Sequence, residues 1–145
     1  MARLRLLIPL RWADMDAYRH VNNVELLRLL EEARVRAFSR PLPGQRPDLL
    51  ATGIVVARHE VEYLAPLDYR PEPVAVDLWV HDVGGASFEL GYEVREPGGE
   101  AVYLLATSSM VAYDFATGRP RRLDEAQRSP TISRARVTPS YCPYP

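Results

Sequence analysis

The densest chemistry in this chain lies between Arg11 and Asn23. The run reads Arg11-Trp12-Ala13-Asp14-Met15-Asp16-Ala17-Tyr18-Arg19-His20-Val21-Asn22-Asn23. It brings two carboxylates, an imidazole and two carboxamides onto one short polar loop. An aspartate is anionic at neutral pH and can attack a carbonyl or activate a water to do so. The loop ends where a helix is expected to begin, and a helix N-terminus offers free backbone N–H groups and the positive end of a dipole. Such N–H groups can polarise a carbonyl oxygen as charge builds on it. A thiolate leaving group, with a pKa of about 8.5, needs little acid assistance. One carboxylate and one helix terminus therefore suffice for acyl transfer from a thioester, whereas an amide or a phosphoester would demand more.

The same residues have plainer uses. Asp-x-Asp in a loop can cap turns, and Asn22 can cap a helix. His20 can be a structural hydrogen-bonding histidine. Asp14, Asp16 and His20 could be metal ligands, but no further His or carboxylate is recruited nearby, so no metal and no other cofactor is expected.

Period-two and helical spacing supply the elements that hold this loop. Residues 3–12 begin with alternation and predict a strand, with Pro9 at an edge or bulge position. A helix is expected from about Asn23 to Phe38, where Leu26, Leu29, Leu30, Ala33 and Ala37 form one apolar stripe. Glu25–Arg28 and Glu32–Arg36 pair charges on its other side. Asn22 stands as N-cap with Glu25 three residues later, the pattern of a capping box. Pro41 and Pro43-Gly44 prevent continuation, leaving a long loop over 39–53. Strands then follow at 54–64, 74–82, 87–95 and 101–114, with turn signals at Gly84-Gly85 and Pro97-Gly98-Gly99. One helix and a run of strands define an α+β chain, read here as an antiparallel meander with the helix on one face. The expected organisation is one domain over 1–123 and a loosely packed Pro-rich tail over 124–145.

The chain has 145 residues, 47% of them hydrophobic and 26% charged, which suits a packed core. Its formal net charge of −1 argues against nucleic acid as a main partner. All eighteen basic residues are Arg. No apolar run spans a bilayer, and the N-terminus lacks the cleavage pattern of a signal peptide. The single cysteine, Cys142, can form no internal disulfide and sits among prolines with nothing to activate it. A cytoplasmic protein is expected.

Asp14-x-Asp16-x-x-x-His20-Val21-Asn22-Asn23, followed by Glu31-Glu32-Ala33-Arg34, resembles the signature of acyl-CoA thioesterases of the 4-hydroxybenzoyl-CoA thioesterase type. The likeness extends over roughly residues 5–120 and includes Tyr63-Leu64-Ala65-Pro66-Leu67 and Gly85-Ala86-Ser87-Phe88. It implies a hot-dog fold, in which a curved antiparallel sheet of about five strands wraps one long helix. It also implies homodimers or homotetramers with sites at the subunit interface. By this resemblance Asp16 is the catalytic carboxylate and the backbone N–H at Asn23 polarises the thioester carbonyl. Asp14, His20 and Asn22 support the loop, and Tyr18, Arg19, Tyr63 and Ser87 are expected near the substrate. The family usually has Gly where this chain has Arg19, so a residue bearing a Cβ is expected to avoid a positive φ there. The Gly84-Gly85-Ala86 turn lacks the basic cluster with which some members hold the CoA nucleotide. Arg58, Arg70 and Arg95 are alternative anchors, and acyl carrier protein thioesters stay open as substrates.

The resemblance thus implies an acyl-CoA thioesterase. A non-catalytic hot-dog protein that binds acyl-CoA or an acyl carrier protein would keep the groove, but would not need Asp16 together with His20-Val21-Asn22-Asn23. A dehydratase acting on hydroxyacyl thioesters would need a second carboxylate–histidine pair, which the sequence does not offer.

Overall fold

A computed structural model of the chain describes residues 3–39 and 53–128. Leu4–Ile8 form β1, and a 3-10 turn follows at Trp12–Asp14. Asn23–Phe38 form α1, then come β2 (Ile54–Tyr63), β3 (Val74–His81), β4 (Ser87–Arg95), β5 (Val102–Asp114), β6 (Arg119–Pro120) and α2 (Glu125–Arg128). The helix and four of the main strands fall where periodicity puts them; the first, expected over 3–12, ends at Ile8 before Pro9, whose missing N–H cannot extend the ladder, and Trp12 belongs to the 3-10 turn. The short β6 and α2 carry too few residues to show a period. The expected loop over 39–53 and the expected tail over 124–145 lie largely outside the described residues.

All strand pairings are antiparallel, but the main sheet runs β1-β3-β4-β5-β2. This corrects the reading of a simple meander. Only β3, β4 and β5 follow one another; β1 and β2 flank them at opposite edges. Period-two spacing says that a segment is extended, not which neighbour it joins. The crossing from β1 to β2 carries α1 over one face.

That face is the core. Leu26, Leu29, Leu30, Ala33 and Phe38 of α1 meet Val74, Val76 and Leu78 of β3, Phe88, Leu90, Tyr92 and Val94 of β4, and Leu104, Met110 and Ala112 of β5. The Phe38 and Phe88 rings meet edge to face at 6.1 Å. The opposite face is polar and ion-paired: Arg5 grips Asp77 through two 2.7 Å bonds, and Arg3 reaches Glu93 while lying over Trp79. Helix α1 lies over the β1 and β3 side. Arg58, His59, Glu60, Glu62 and Tyr63 of β2 are exposed beside it.

Candidate active site

The loop from the 3-10 turn to α1 folds back on itself. Met15 bridges to Val21, and the Asn22 N–H donates to the Asp14 carbonyl at 2.9 Å. The Val21 N–H donates to the Leu67 carbonyl, and His20 forms a backbone bridge with Asp68. The segment after β2 thereby braces the loop from its far side.

Asp14 is fully buried and organises this corner. Its carboxylate accepts from the Arg11 N–H and Arg11 Nε, each at 2.9 Å, and from Arg28 Nη2 at 2.8 Å. Burial alone would raise its pKa, but Arg11 and Arg28 outweigh it and hold the carboxyl below the usual aspartate range. Glu25 joins the same cluster through Arg11 and Arg28. Asn22 caps α1 as expected, its Oδ1 accepting from the Val24 N–H at 2.9 Å. The reciprocal half of a capping box is not made. Glu25 is drawn to the two arginines, and the Asn22 N–H is satisfied by Asp14 instead.

Asp16 is half-buried. Its Oδ1 accepts from the Tyr18 N–H at 2.8 Å and the His20 N–H at 3.2 Å, while its own N–H donates to the His20 carbonyl. Among the described residues Oδ2 has no donor. Asp16 lines an open cleft of about 560 Å³ together with Trp12, Ala13, Met15 and Arg19. The Asn23 N–H, in the first turn of α1, has no protein acceptor among the described residues.

Arg19 departs from expectation. It adopts φ 63°, the left-handed region, instead of avoiding it. The turn that points two N–H groups at Asp16 and returns the chain to His20 demands that conformation. A Cβ there costs on the order of 1–2 kcal/mol, offset by the hydrogen bonds the turn makes possible. The exposed guanidinium has no partner among the described residues.

The other expected site residues are spread out. Tyr63 stands at the α1 N-terminus, its hydroxyl donating to the Asn23 carbonyl at 3.3 Å. Tyr18 is 80% exposed and does not line the cleft. The His20 ring is 3.7 Å from Asp68, too far for a hydrogen bond. Ser87 starts β4 at the opposite end of the sheet, roughly 23 Å of strand from the α1 N-terminal end, so one chain does not bring it to Asp16. Arg58, Arg70 and Arg95 are paired with Glu60, Glu96 and Glu93. Among the described residues no group of three metal-binding side chains gathers, and no helix is long and apolar enough to cross a membrane.

Residues 10–131 match the family model of the thioesterase-like superfamily. The chain belongs to that superfamily. Its fold matches that of a thioesterase from Thermus thermophilus solved with coenzyme A and zinc, at 30% identity and a TM-score of 0.73. The match covers 89% of this chain and 93% of that one. A Pseudomonas aeruginosa protein provisionally named a thioesterase is 31% identical, with a TM-score of 0.69 and coverage of 88% and 95%. A 1,4-dihydroxy-2-naphthoyl-CoA thioesterase from Synechocystis is 16% identical, with a TM-score of 0.67 over 92% and 96%, and speaks to fold alone. No curated protein matches the sequence. The architecture is the hot-dog fold.

The site's geometry has two consequences for stability. Asp14→Asn should cost about 2 kcal/mol or more, because it leaves two arginines without their buried counter-charge. Asp14's folded pKa is depressed, so its contribution is present above the ordinary aspartate range and fades as pH falls through the folded value. Urea melts from neutral to acid pH should therefore show a flatter acid limb in Asp14→Asn than in the wild type. Arg19→Gly, by contrast, should raise stability by about 0.5–1 kcal/mol in the same melts, since glycine takes a positive φ without strain.

Proposed function

We propose that the protein hydrolyses acyl-CoA thioesters, with Asp16 as the reacting carboxylate and the Asn23 N–H as the donor to the carbonyl oxygen. The observation that carries this reading is the state of Asp16. In a member of the thioesterase-like superfamily, this residue lines an open cleft, with one oxygen fixed by two backbone N–H groups and the other without a donor among the described residues. That orients a carboxylate and leaves one oxygen available. The neighbouring helix end keeps an unspent N–H, the form of oxyanion stabilisation that needs no reorganisation.

In the proposed reaction the substrate carbonyl lies between the two groups. Either Asp16 Oδ2 attacks the carbonyl carbon, expels the CoA thiolate and leaves a mixed anhydride that water opens, or Asp16 takes a proton from the attacking water. Both routes give one carboxylic acid and free CoA per water consumed. Asp14 takes no part in the chemistry and holds the loop. His20, Asn22, Tyr18, Arg19 and Tyr63 shape the entrance. The CoA bound to the Thermus relative favours a CoA thioester over an acyl carrier protein as substrate. Neither route calls on a metal ion. A single cysteine and a CoA substrate suit the cytoplasm.

A homodimer, or a tetramer built from it, completes the proposal. Strand β2 is a ten-residue edge, and the exposed Tyr63, Leu64 and Val24 adjoin it at the α1 N-terminus. An edge of that length is a ready template for a second strand. A second copy there would also supply walls to an otherwise open site.

Asp16→Asn preserves shape and most hydrogen bonding but removes the anion. It should lower kcat at least ~10²-fold, with Asp14→Asn lowering it less. Wild-type turnover by a folded Asp16→Asn variant would dismiss the mechanism. Single-turnover hydrolysis in ¹⁸O-water separates the two routes, because direct attack puts an unlabelled Asp16 oxygen into the first product. Sedimentation at micromolar concentration should give at least twice the 16.4 kDa chain mass; a particle of the chain mass alone would count against the dimer.

A further inference from the structure

Helix α1 carries one charged residue on its buried stripe. Arg34 follows Leu26 and Leu30 at helical spacing and is only 8% exposed. A guanidinium removed from water normally has a carboxylate partner, since burying an isolated charge is costly. Arg5, Arg11, Arg28, Arg36 and Arg70 each have one. Arg34 has none among the described residues. Its single hydrogen bond is a 3.3 Å contact from Nη1 to the hydroxyl of fully buried Tyr92, whose ring also lies 5.9 Å from the guanidinium carbon.

Tyr92 opens a chain of polar groups across the sheet. Next to it lies Ser108, which is fully buried and paired across the sheet to His59, and Ser108 Oγ lies 2.6 Å from His59 Nδ1. Burial raises the Tyr92 pKa, against the pull of Arg34, so the phenol keeps its proton. Arg34 can only donate, so the Tyr92 oxygen is its acceptor. His59 joins the row through Nδ1, and its Nε2 has no partner among the described residues. Burial, and then the charge of Arg34, lower the His59 pKa.

These groups form a row from α1 across β4 and β5 to the edge strand β2. His59 and Tyr63 of β2 face the same side as α1, since they pair with the core-facing Ser108 and Leu104, yet both are exposed. Tyr63 on the same strand donates to the Asn23 carbonyl at the start of α1, and Arg34 stands further along that helix. Four residues of strand separate Tyr63 from His59, roughly 13 Å. Eleven residues of helix separate Asn23 from Arg34, roughly 16 Å. Both spans suit a medium-length acyl group whose thioester sits at the α1 N-terminus.

We propose that Arg34 and His59, oriented through Tyr92 and Ser108, bind the distal end of the acyl group and select thioesters whose acyl chain ends in a carboxylate. This rests on the thioesterase reading of the Asp16 site and names its substrate class. A carboxylate supplies the counter-charge that Arg34 lacks among the described residues, in the planar geometry a guanidinium fork accepts. It can also accept from His59 Nε2 in the tautomer that carries its proton there. A methyl terminus does neither.

The test compares kcat/KM for straight-chain acyl-CoAs and their ω-carboxy counterparts across a range of chain lengths, using the full chain. The wild type should prefer the ω-carboxy substrate at some medium length by roughly 10- to 100-fold, the worth of a charge-assisted hydrogen bond. Arg34→Gln should abolish that ratio and Arg34→Lys should retain part of it. A general loss of packing would not separate those two. If both Arg34 variants fail to fold, His59→Ala at the exposed end of the chain should still lower the ratio. A wild type that favours the unsubstituted acyl-CoA at every length overturns the proposal and leaves the thioesterase reading standing. So does a preference that survives both Arg34→Gln and His59→Ala. Absence of hydrolysis in both series would remove the enzyme reading, and this one with it.

Discussion

Everything at the proposed site depends on one buried carboxylate that stands outside the proposed chemistry. Asp14 draws Arg11 from the start of the 3-10 turn and Arg28 from the second turn of α1 onto its two oxygens, and its carbonyl takes the N–H of the helix cap. Turn, loop and helix are joined at that residue. Asp16 can then be held two positions later by backbone N–H groups alone. Without the anchor, the strained turn through Arg19 would have nothing to push against, since a left-handed arginine persists only where its surroundings over-determine it.

Much of this is legible in the sequence, for identifiable reasons. Alternation and the stripe of Leu26, Leu29, Leu30, Ala33 and Ala37 depend on local spacing, so the helix and five strands can be read from residues near one another. The carboxylates of the loop are two residues apart, and their division of labour follows from the family resemblance. Sheet order is not legible: whether β2 joins β3 or crosses to β5 is decided by where α1 leaves the chain. Ser87 is expected near the substrate because it lies in a resembling segment, yet its strand begins at the other end of the sheet. The fate of Glu25 escapes a local reading because its competitors, Arg11 and Arg28, reach it only once the loop is folded.

The Arg34 cluster marks the same limit from the other side. Its members come from α1, β2, β4 and β5 and share no motif, so their meeting is purely tertiary. One sign is present. An arginine four residues after Leu30, on the stripe that buries α1, is a conflict between local pattern and burial, and such conflicts concentrate where a protein does something other than fold.

The two margins of the sheet are unlike. One is ten residues long; the other, β1, has five, is followed by Pro9, and has Arg3 just before it and Arg5 within it engaged with the polar face. Proline has no N–H to offer a neighbour, and short charged borders resist further pairing. Joining two copies through the long margin would use up the adhesive border of both and leave β1 at each outer end. Growth by strand pairing would then stop at two, whatever else the pair assembled into. In such a pair the outer strand would act as a terminator, a protection against open-ended fibres that costs no extra residues and is set by which strand comes first.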